Sequence, residues 1–265
     1  MSRKIALVTG GTSGIGKATA AALAEAGYAV YALSRHAAED AGNILHLTAD
    51  VTLPETVGAA VAEVLAREGQ IDLLVNCAGF GISGAVEYTD TEEAKRQFDT
   101  NFFGTVNVIR AVIPAMRAAG HGLVVNVSSV AAEVPIPFQT FYSASKAAID
   151  AYTLALANEL RPFGIGVCAV LPGDIRTGFT AARQKQAAGD DVYGGRIAHS
   201  VARMEKDEQG GMDPAVIGRA IARIARKRHV KPLYTVGFGY KIAVLAARLL
   251  PRRLSNKIVG RMYAD

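Results

Sequence analysis

The sequence predicts a doubly wound α/β fold with a parallel sheet, and three observations support this prediction. Short apolar runs alternate with longer segments of helical periodicity along the first two thirds of the chain. The runs are continuous rather than alternating, which is typical of strands buried on both faces. A chain of 265 residues, of which 50% are hydrophobic, is also long enough to bury both faces of such a sheet without disulfides.

The elements can be placed in order along the chain. Strands at 5–9 and 28–33 flank an Ala-rich helix at 15–25, which makes a first βαβ unit. Pro54 opens a later helix, because proline is tolerated in the first turn. The remaining predicted elements are a strand at 44–49, a helix at 54–67, a strand at 71–75, one long or two abutting helices over 91–116, a strand at 122–127, a helix at 142–160 and a strand at 165–171.

Two later segments leave this alternation. Residues 178–212 lapse into polar residues and glycines, which predicts a mobile lid over a site rather than core. The sequence then predicts a helix at 214–227, a strand at 232–236 and an apolar-rich helix at 240–250. With no repeat or low-complexity linker, residues 1–265 are predicted as a single domain that ends in a C-terminal helical extension over 240–265.

Charge is distributed unevenly along the chain. The formal net charge is +5, but residues 217–265 carry a net +11, which leaves a net −6 for residues 1–216. A pI near 9.2 does not by itself indicate nucleic acid, and no nucleic-acid partner is predicted. We interpret the basic tail as the solvated faces of two amphipathic helices, with anionic lipid or an acidic carrier protein as the alternatives.

Cysteine usage and apolar runs suggest a compartment. Cys77 and Cys168 are too few for a disulfide framework and lack metal-ligand spacing, so we expect buried thiols, a reducing environment and no metal. The apolar run near the start, about five residues long, is shorter than a signal-peptide core. Arg248 interrupts the apolar stretch 242–250, which is too short to span a bilayer. A cytoplasmic location is predicted.

A glycine-rich turn joins the first strand to the first helix. Gly10, Gly14 and Gly16 have the spacing Gly-x-x-x-Gly-x-Gly, with Thr12 and Ser13 inside the turn. Glycine lacks the Cβ that would block a tight turn, and it lets backbone N–H groups at the helix N-terminus approach a pyrophosphate. The turn therefore predicts a bound dinucleotide.

The end of the second strand distinguishes between dinucleotides. An acid there usually accepts the ribose hydroxyls, whereas residues 33–36 contain no carboxylate. The hydroxyl of Ser34 and the guanidinium of Arg35 suit the 2′-phosphate of NADP(H), because a guanidinium offers a charged fork of donors. Other residues that end strands at the same edge are predicted to hold adenine and ribose: Asp50, Val51, Asn76, Ala78 and Gly79.

Ser129, Tyr142 and Lys146 form the strongest chemical constellation. Tyr142 and Lys146 lie one helical turn apart, and Ser129 follows a predicted strand. A lysine ammonium favours the tyrosine phenolate, so the pair suits acid–base catalysis nearer to neutral pH. Ser129 can donate a hydrogen bond to a substrate oxygen on which charge develops.

Together these motifs resemble the short-chain dehydrogenase/reductase family over about residues 4–177. The matching residues are Thr9, Gly10, Gly14, Gly16, Asn76, Ala78, Gly79, Asn101, Ser129, Tyr142, Lys146, Pro172 and Gly173. The resemblance implies that Tyr142 exchanges a proton with the substrate oxygen that Ser129 orients. It implies that Lys146 lowers the pKa of Tyr142 and holds the nicotinamide ribose, and that Asn101 fixes a water in the proton relay. It further implies cofactor contacts from Ile15 near the pyrophosphate and from Pro172, Gly173, Ile175 and Thr177.

Two residues depart from the family pattern. Cys77 stands where the family commonly has a second Asn, which we expect to be harmless. Asp174 follows Pro172 and Gly173 where many relatives have an apolar residue. Asp174 is interpreted either as a helix cap or solvated acid, or as a group that recognises a polar part of the substrate.

The predicted activity is hydride transfer between NADP(H) and a carbonyl or secondary alcohol, with reduction as the favoured direction. Phe80, the run 134–138 and Phe179 could line an apolar pocket, which favours a steroid-like or lipid-like ketone. The extension 240–265 resembles that of the hydroxysteroid dehydrogenase branch. The alternatives are a 3-oxoacyl thioester reductase and a non-catalytic dinucleotide-sensing regulator, the latter disfavoured because the four catalytic residue types are all present.

Two expectations concern surfaces. Relatives pair through the helices that correspond to 91–116 and 142–160, so a homodimer or homotetramer is predicted. In the tail, Ile242, Leu245, Leu249 and Leu250 recur at helical spacing. This apolar face is predicted to cover or pack beside the substrate cleft, with the basic face toward solvent and in weak contact with an anionic membrane surface.

Overall fold

The computed structural model describes residues 3–264, and a seven-stranded parallel sheet lies at its centre. Its strands run in the order β3-β2-β1-β4-β6-β7-β9. They are β1 (Ile5–Thr9), β2 (Ala29–Ser34), β3 (Ile44–Thr48), β4 (Leu73–Asn76), β6 (Gly122–Val127), β7 (Ile165–Pro172) and β9 (Leu233–Val236). A separate ribbon pairs β5 (Ile82–Ser83) with β8 (Gln184–Lys185). The predicted doubly wound parallel fold is confirmed.

Helices cover both faces of the sheet. They are α1 (Gly14–Glu25), α2 (Pro54–Glu68), α3 (Thr91–Phe98), α4 (Gly104–Ala119), α5 (Thr140–Leu160), α6 (Phe179–Ala182), α7 (Arg196–Gln209), α8 (Pro214–Ile224), α9 (Phe238–Leu249) and α10 (Arg252–Tyr263). Ile5 and Leu7 of β1 pack with α2, α4 and α5, whereas Ala6 and Val8 pack with α1 and α8. Successive residues of the strand thus enter two different cores, which explains why its sequence is continuously apolar.

The segment predicted as one long or two abutting helices is two helices joined by a π-helical turn. Residues Asp99–Phe103 form this turn between α3 and α4. The wider turn shifts the helical register there, and Asn101 within it is buried.

The segment 178–212 is more regular than its sequence predicts. It contains α6, β8 and the 14-residue helix α7, and the mobile lid predicted for this segment stays a prediction. Helix α7 buries Ile197, Ser200 and Met204, which recur at intervals of three and four residues. With only three buried positions among charged side chains, its periodicity is too weak to identify from the sequence.

The C-terminal extension forms two helices, α9 and α10, which follow the edge strand β9.

Cys77 and Cys168 are both free thiols, and burial raises their pKa values to about 12. Within residues 3–264, no helix combines the length and the apolar character that a membrane crossing requires.

Candidate active site

A cavity of about 720 Å³ lies between the carboxyl ends of the strands and the C-terminal helices. Its floor comes from the turn after β1, the loop after β4, the end of β6, the start of α5 and the loop after β7. Its roof comes from α9 and α10. The floor residues include Gly10, Ser13, Gly14, Ile15, Gly16, Ala78, Gly79, Ser129, Tyr142, Lys146, Pro172, Gly173, Ile175 and Thr177.

The glycine-rich turn is shaped as a dinucleotide cradle requires. Gly10 and Gly14 adopt positive φ angles of 64° and 50°. A Cβ on Gly16 would lie 2.1 Å from the carbonyl oxygen of Gly10, so only glycine fits there. Ser13 at the N-cap of α1 makes no side-chain capping bond, which leaves N–H groups of the first turn available to an anion. The turn therefore fits the pyrophosphate of a dinucleotide.

Substituting Gly16 with alanine is expected to raise the dissociation constant for the dinucleotide at least about tenfold, because the new Cβ forces the turn open at a cost of roughly 1–3 kcal/mol. Calorimetric titration would measure this change. Gly58→Ala is the matched control, since a Cβ there meets no atom within 4 Å. An unchanged dissociation constant in Gly16→Ala would contradict the role of the turn.

The residues predicted to bind the adenosine end lie along the edge formed by the carboxyl ends of β2, β3 and β4. Arg35 is exposed, and among residues 3–264 it has no ion-pair partner, while the Ser34 hydroxyl donates to the carbonyl of His36 at 2.6 Å. Asp50 accepts hydrogen bonds from Thr52, and Val51 is buried. None of these residues borders the cavity, and Thr12 does not border it either.

Asn76 has a structural partner in β6, and its predicted contact with the adenosine stays a prediction. Its amide is buried and donates to Asn126 Oδ1 at 2.9 Å, which ties β4 to β6. The cavity is instead bordered by the next residues of the loop, Ala78 and Gly79, whose position depends on Thr9. The hydroxyl of Thr9 accepts from the backbone of Cys77 and Ala78.

Ser129, Tyr142 and Lys146 meet on the floor of the cavity. Ser129 lies two residues after β6, and its hydroxyl accepts from the backbone N–H of Ala131 at 3.1 Å. Tyr142 and Lys146 lie on α5, and Lys146 Nζ is 5.7 Å from the centre of the Tyr142 ring. The same Nζ donates to the carbonyl of Val127 at 2.8 Å. The arrangement presents a hydroxyl, a phenol and an amine to one small volume.

Asn101 lies beside this group. Its amide donates to the carbonyl of Phe80 at 3.0 Å and to Ser145 Oγ at 3.1 Å, and its oxygen accepts from the N–H of Phe80. Asn101 thus links the π-helical turn, the loop after β4 and α5, and it holds the loop against the floor of the site.

The fold and these motifs agree with known proteins. Residues 4–188 match the family described as short chain dehydrogenase. The chain belongs to the short-chain dehydrogenase family.

Two individual proteins and one solved structure are similar to this chain over nearly its whole length. This short-chain dehydrogenase is 41% identical to a 3-ketodihydrosphingosine reductase of Bacteroides thetaiotaomicron, over 100% of its own length and 99% of the relative's. It is 32% identical to a probable short-chain type dehydrogenase/reductase of Helicobacter pylori, over 93% of each chain. A crystal structure of a short-chain dehydrogenase from Streptomyces avermitilis superposes with a TM-score of 0.83 at 33% identity, over 92% of each chain.

The pKa of Tyr142 differs from the expectation that Lys146 lowers it. Burial raises the pKa of Tyr142 to about 12, more than its hydrogen bond with Ser129 lowers it. Burial also lowers the pKa of Lys146 to about 8. In this dehydrogenase the phenol therefore keeps its proton near neutral pH, which suits a proton donor.

Asp150 lies one turn beyond Lys146 on α5 and is buried. Burial raises the pKa of its carboxyl from 3.8 to about 6, against the opposing effect of Lys146. A raised folded-state pKa means that stability is fully present below the unfolded value and is lost as the pH rises through about 6. The ionised carboxylate is therefore a stability cost at neutral pH.

Asp150→Asn is expected to raise the free energy of unfolding at pH 7 by up to about 3 kcal/mol and to flatten its dependence on pH between 4 and 7. Urea unfolding at several pH values would measure both effects. Glu159→Gln, an exposed substitution on the same helix, is the control. A slope that Asp150→Asn leaves unchanged would show that another group titrates.

Asp174 is neither a helix cap nor a solvated acid. Its carboxylate accepts a hydrogen bond from the Tyr240 hydroxyl of α9 at 2.7 Å, and burial raises its pKa. A Cβ on Gly173 would lie 2.3 Å from the Tyr240 ring, so α9 packs tightly onto the loop after β7. Asp174 thus anchors the roof of the cavity to its floor.

The apolar pocket residues are placed largely as predicted. Phe80, Val134, Ile136 and Phe179 border the cavity, and the Phe179 ring lies 5.5 Å from that of Tyr142. Phe138 does not border it and packs edge-on against Tyr193 instead.

The face of α9 that covers the cavity is not the predicted one. Leu250 borders the cavity, but Ile242, Leu245 and Leu249 are exposed. The covering residues on α9 are Tyr240, Ala243, Ala246 and Ala247. A helix that packs closely over the cavity needs small side chains on that side. The predicted face was instead chosen from the large apolar side chains, which dominate a hydrophobic pattern in the sequence.

Sequence reasoning missed a buried ion pair beside the site. Arg183 donates to Glu208 of α7, whose other oxygen accepts from Thr180 at 2.6 Å. Glu208 and Met204 of α7 both border the cavity, as does Tyr263 of α10. Only a clear helical periodicity in residues 196–209 could have pointed to α7, and its polar composition hides that signal.

Proposed function

We propose that this chain is an NADPH-dependent reductase of a ketone in a long, acyclic, lipid-like molecule. The observation that carries the proposal is the position of Ser129, Tyr142 and Lys146 on the floor of an apolar cavity. The open N-terminus of α1 borders the same cavity, so a dinucleotide cradle and a proton donor face one space.

In this proposal Tyr142 is the acid and Ser129 orients the substrate. A nicotinamide dinucleotide supplies the hydride that the carbonyl carbon accepts. The hydroxyl of Ser129 donates a hydrogen bond to the carbonyl oxygen as negative charge develops there. Tyr142, protonated at neutral pH because its pKa is about 12, transfers its proton to that oxygen and completes the alcohol. Lys146 holds the ribose, and its charge stabilises the phenolate that remains.

Support for NADPH rather than NADH comes from the edge at β2. Arg35 is exposed, and within residues 3–264 no carboxylate pairs with it. A guanidinium so placed can pair with a 2′-phosphate, whereas the ribose of NADH would leave it without a partner.

The substrate class rests on the cavity lining and on one relative. The roof and walls contribute Val134, Ile136, Leu250, Ile258 and Met262, which suit an alkyl chain. The Bacteroides relative is named for reducing 3-ketodihydrosphingosine, a ketone of this kind. We therefore favour an acyclic lipid ketone over the steroid that resemblance to the hydroxysteroid branch suggests.

A screen of NADPH oxidation tests this assignment. We expect 3-ketodihydrosphingosine to give a higher kcat/KM than a 3-ketosteroid, a 3-oxoacyl thioester or a short diketone. Preference for the thioester would favour the carrier-dependent reductase instead. Binding of NADPH without turnover of any of the four ketones would favour the dinucleotide-sensing regulator.

Filling the roof of the cavity is expected to discriminate by substrate length. Ala246→Phe places a ring in the cavity and should raise KM for the long ketone about tenfold or more, because misfit in an apolar pocket costs roughly 1–3 kcal/mol. KM for the short diketone should stay within about twofold on the same reasoning. Leu245→Phe, on the exposed side of the same helix, is the control. Equal changes in KM for both ketones would mean that the alkyl chain of the long ketone does not bind against this part of α9.

Two further expectations become part of the proposal. We propose a homodimer or homotetramer that pairs through the helices of residues 91–116 and 142–160, which are α3, α4 and α5, with Leu154 exposed on α5. We also propose a location on the cytoplasmic side of the cell, where NADPH is available.

A further inference from the structure

The outer face of the two C-terminal helices is apolar, and nothing within residues 3–264 covers it. Seven large hydrophobic side chains there are exposed, half of the fourteen among residues 3–264, and we call them the outer apolar face. They are Phe238, Ile242, Leu245 and Leu249 of α9, and Leu254, Ile258 and Met262 of α10. Phe238 and Leu249 are 81% and 75% exposed.

These residues form one stripe on each helix. They recur at intervals of three and four residues, and the buried residues Val244 and Ala247 lie on the other side of α9. Helix α9 is thus apolar on two sides, with small side chains toward the cavity and large ones outward. Burial against the cavity explains the apolar character of the inner side of α9, but it does not explain the large apolar side chains of the outer side.

The charges that flank the outer apolar face have a single sign. Residues 238–264 contain no Asp or Glu and six Lys or Arg. Arg248 is paired with Glu133. The other five are exposed, and within the described part of the chain none of them has an ion-pair partner: Lys241, Arg252, Arg253, Lys257 and Arg261. Exposed apolar side chains framed by unpaired cations complement an anionic lipid surface.

The cavity opens at this face. Ile258 and Met262 border the cavity and are also exposed, so the space above Tyr142 reaches the surface at α10. A second copy of this chain would complement the face poorly, because a two-fold contact would place like charges opposite one another.

We propose that α9 and α10 dock the protein on an anionic membrane surface, with the cavity mouth against the lipid. The apolar stripe enters the region between head groups and acyl chains, and the five free cations contact lipid phosphates. The ketone then passes from the bilayer into the cavity without crossing water. This inference builds on the proposed lipid-like substrate, but docking itself needs neither substrate nor cofactor.

Co-sedimentation with vesicles tests the docking directly, with the full chain and no ketone present. We expect binding to vesicles of phosphatidylcholine mixed with phosphatidylglycerol, little binding to phosphatidylcholine alone, and a decrease with added salt. The double variant Arg252→Glu/Arg253→Glu should lower the partition coefficient at least about tenfold. Arg223→Glu/Arg228→Glu on and after α8 changes the net charge equally and should leave it nearly unchanged.

A second pair of variants tests the apolar part. Phe238→Ser/Leu249→Ser should reduce vesicle binding. Val192→Ser should not, because Val192 is 69% exposed but lies outside α9 and α10. Turnover of a soluble short ketone should stay normal in all four variants, which shows that they fold. Absent binding at low salt, equal binding to neutral vesicles, or equal losses in the control variants would overturn the docking proposal. Each of these outcomes leaves the proposed reductase activity to be judged by turnover alone.

Discussion

Replacing Tyr142 with phenylalanine is expected to lower kcat on the order of a hundredfold or more, because it removes the proton donor and keeps the ring. The ring packs against Phe179, so the fold and the cavity wall should survive the change. Stopped-flow measurement of NADPH oxidation with the long ketone would give kcat, and calorimetry would show whether NADPH still binds.

Tyr152→Phe is the matched control for this experiment. Tyr152 lies on the same helix but packs edge-on against Phe102, away from the cavity. Its variant should turn over normally. Near-normal kcat in Tyr142→Phe would mean that another group delivers the proton, and the proposed mechanism would be wrong.

Replacing Arg35 with alanine is expected to weaken NADPH binding by roughly 10- to 150-fold, because a lost charge-assisted pair costs about 1.5–3 kcal/mol. NADH lacks the 2′-phosphate, so its affinity should change little. Titration of each dinucleotide against the two proteins would measure the change in preference.

Arg67→Ala provides the comparison, since Arg67 is exposed and forms its ion pair with Glu63 one turn earlier on α2. It should leave both affinities unchanged. Equal use of NADH and NADPH by the wild-type protein would contradict the role given to Arg35.

The sequence predicted the sheet well because its strands are buried on both faces. Residues 5–9 and 122–127 are predicted as strands with the bounds that the structure has, and the other strands of the sheet differ by one or two residues at one or both ends. A run of consecutive apolar residues between turn residues leaves few alternatives to a buried strand.

The floor of the candidate site was also accessible from the sequence. The turn after β1, the end of β6 and the start of α5 are local motifs, and parallel strands bring their carboxyl ends to one edge. The presence of Ser129, Tyr142 and Lys146 at one site follows from that topology. The burial that raises the pKa of Tyr142 does not, because it depends on segments distant in sequence.

What the sequence by itself determined is the order of strands and helices along the chain, the dinucleotide turn and the residues of the candidate proton relay. The tertiary structure alone decided which sides of α7, α9 and α10 face the cavity. Helix α9 lines the cavity with small residues such as Ala243 and Ala246, while its largest apolar side chains point outward, and α7 contributes the polar side chain of Glu208. Periodicity measures where large hydrophobic residues lie along a helix, but the identity of the surface that a helix packs against is set by contacts between segments far apart in the chain.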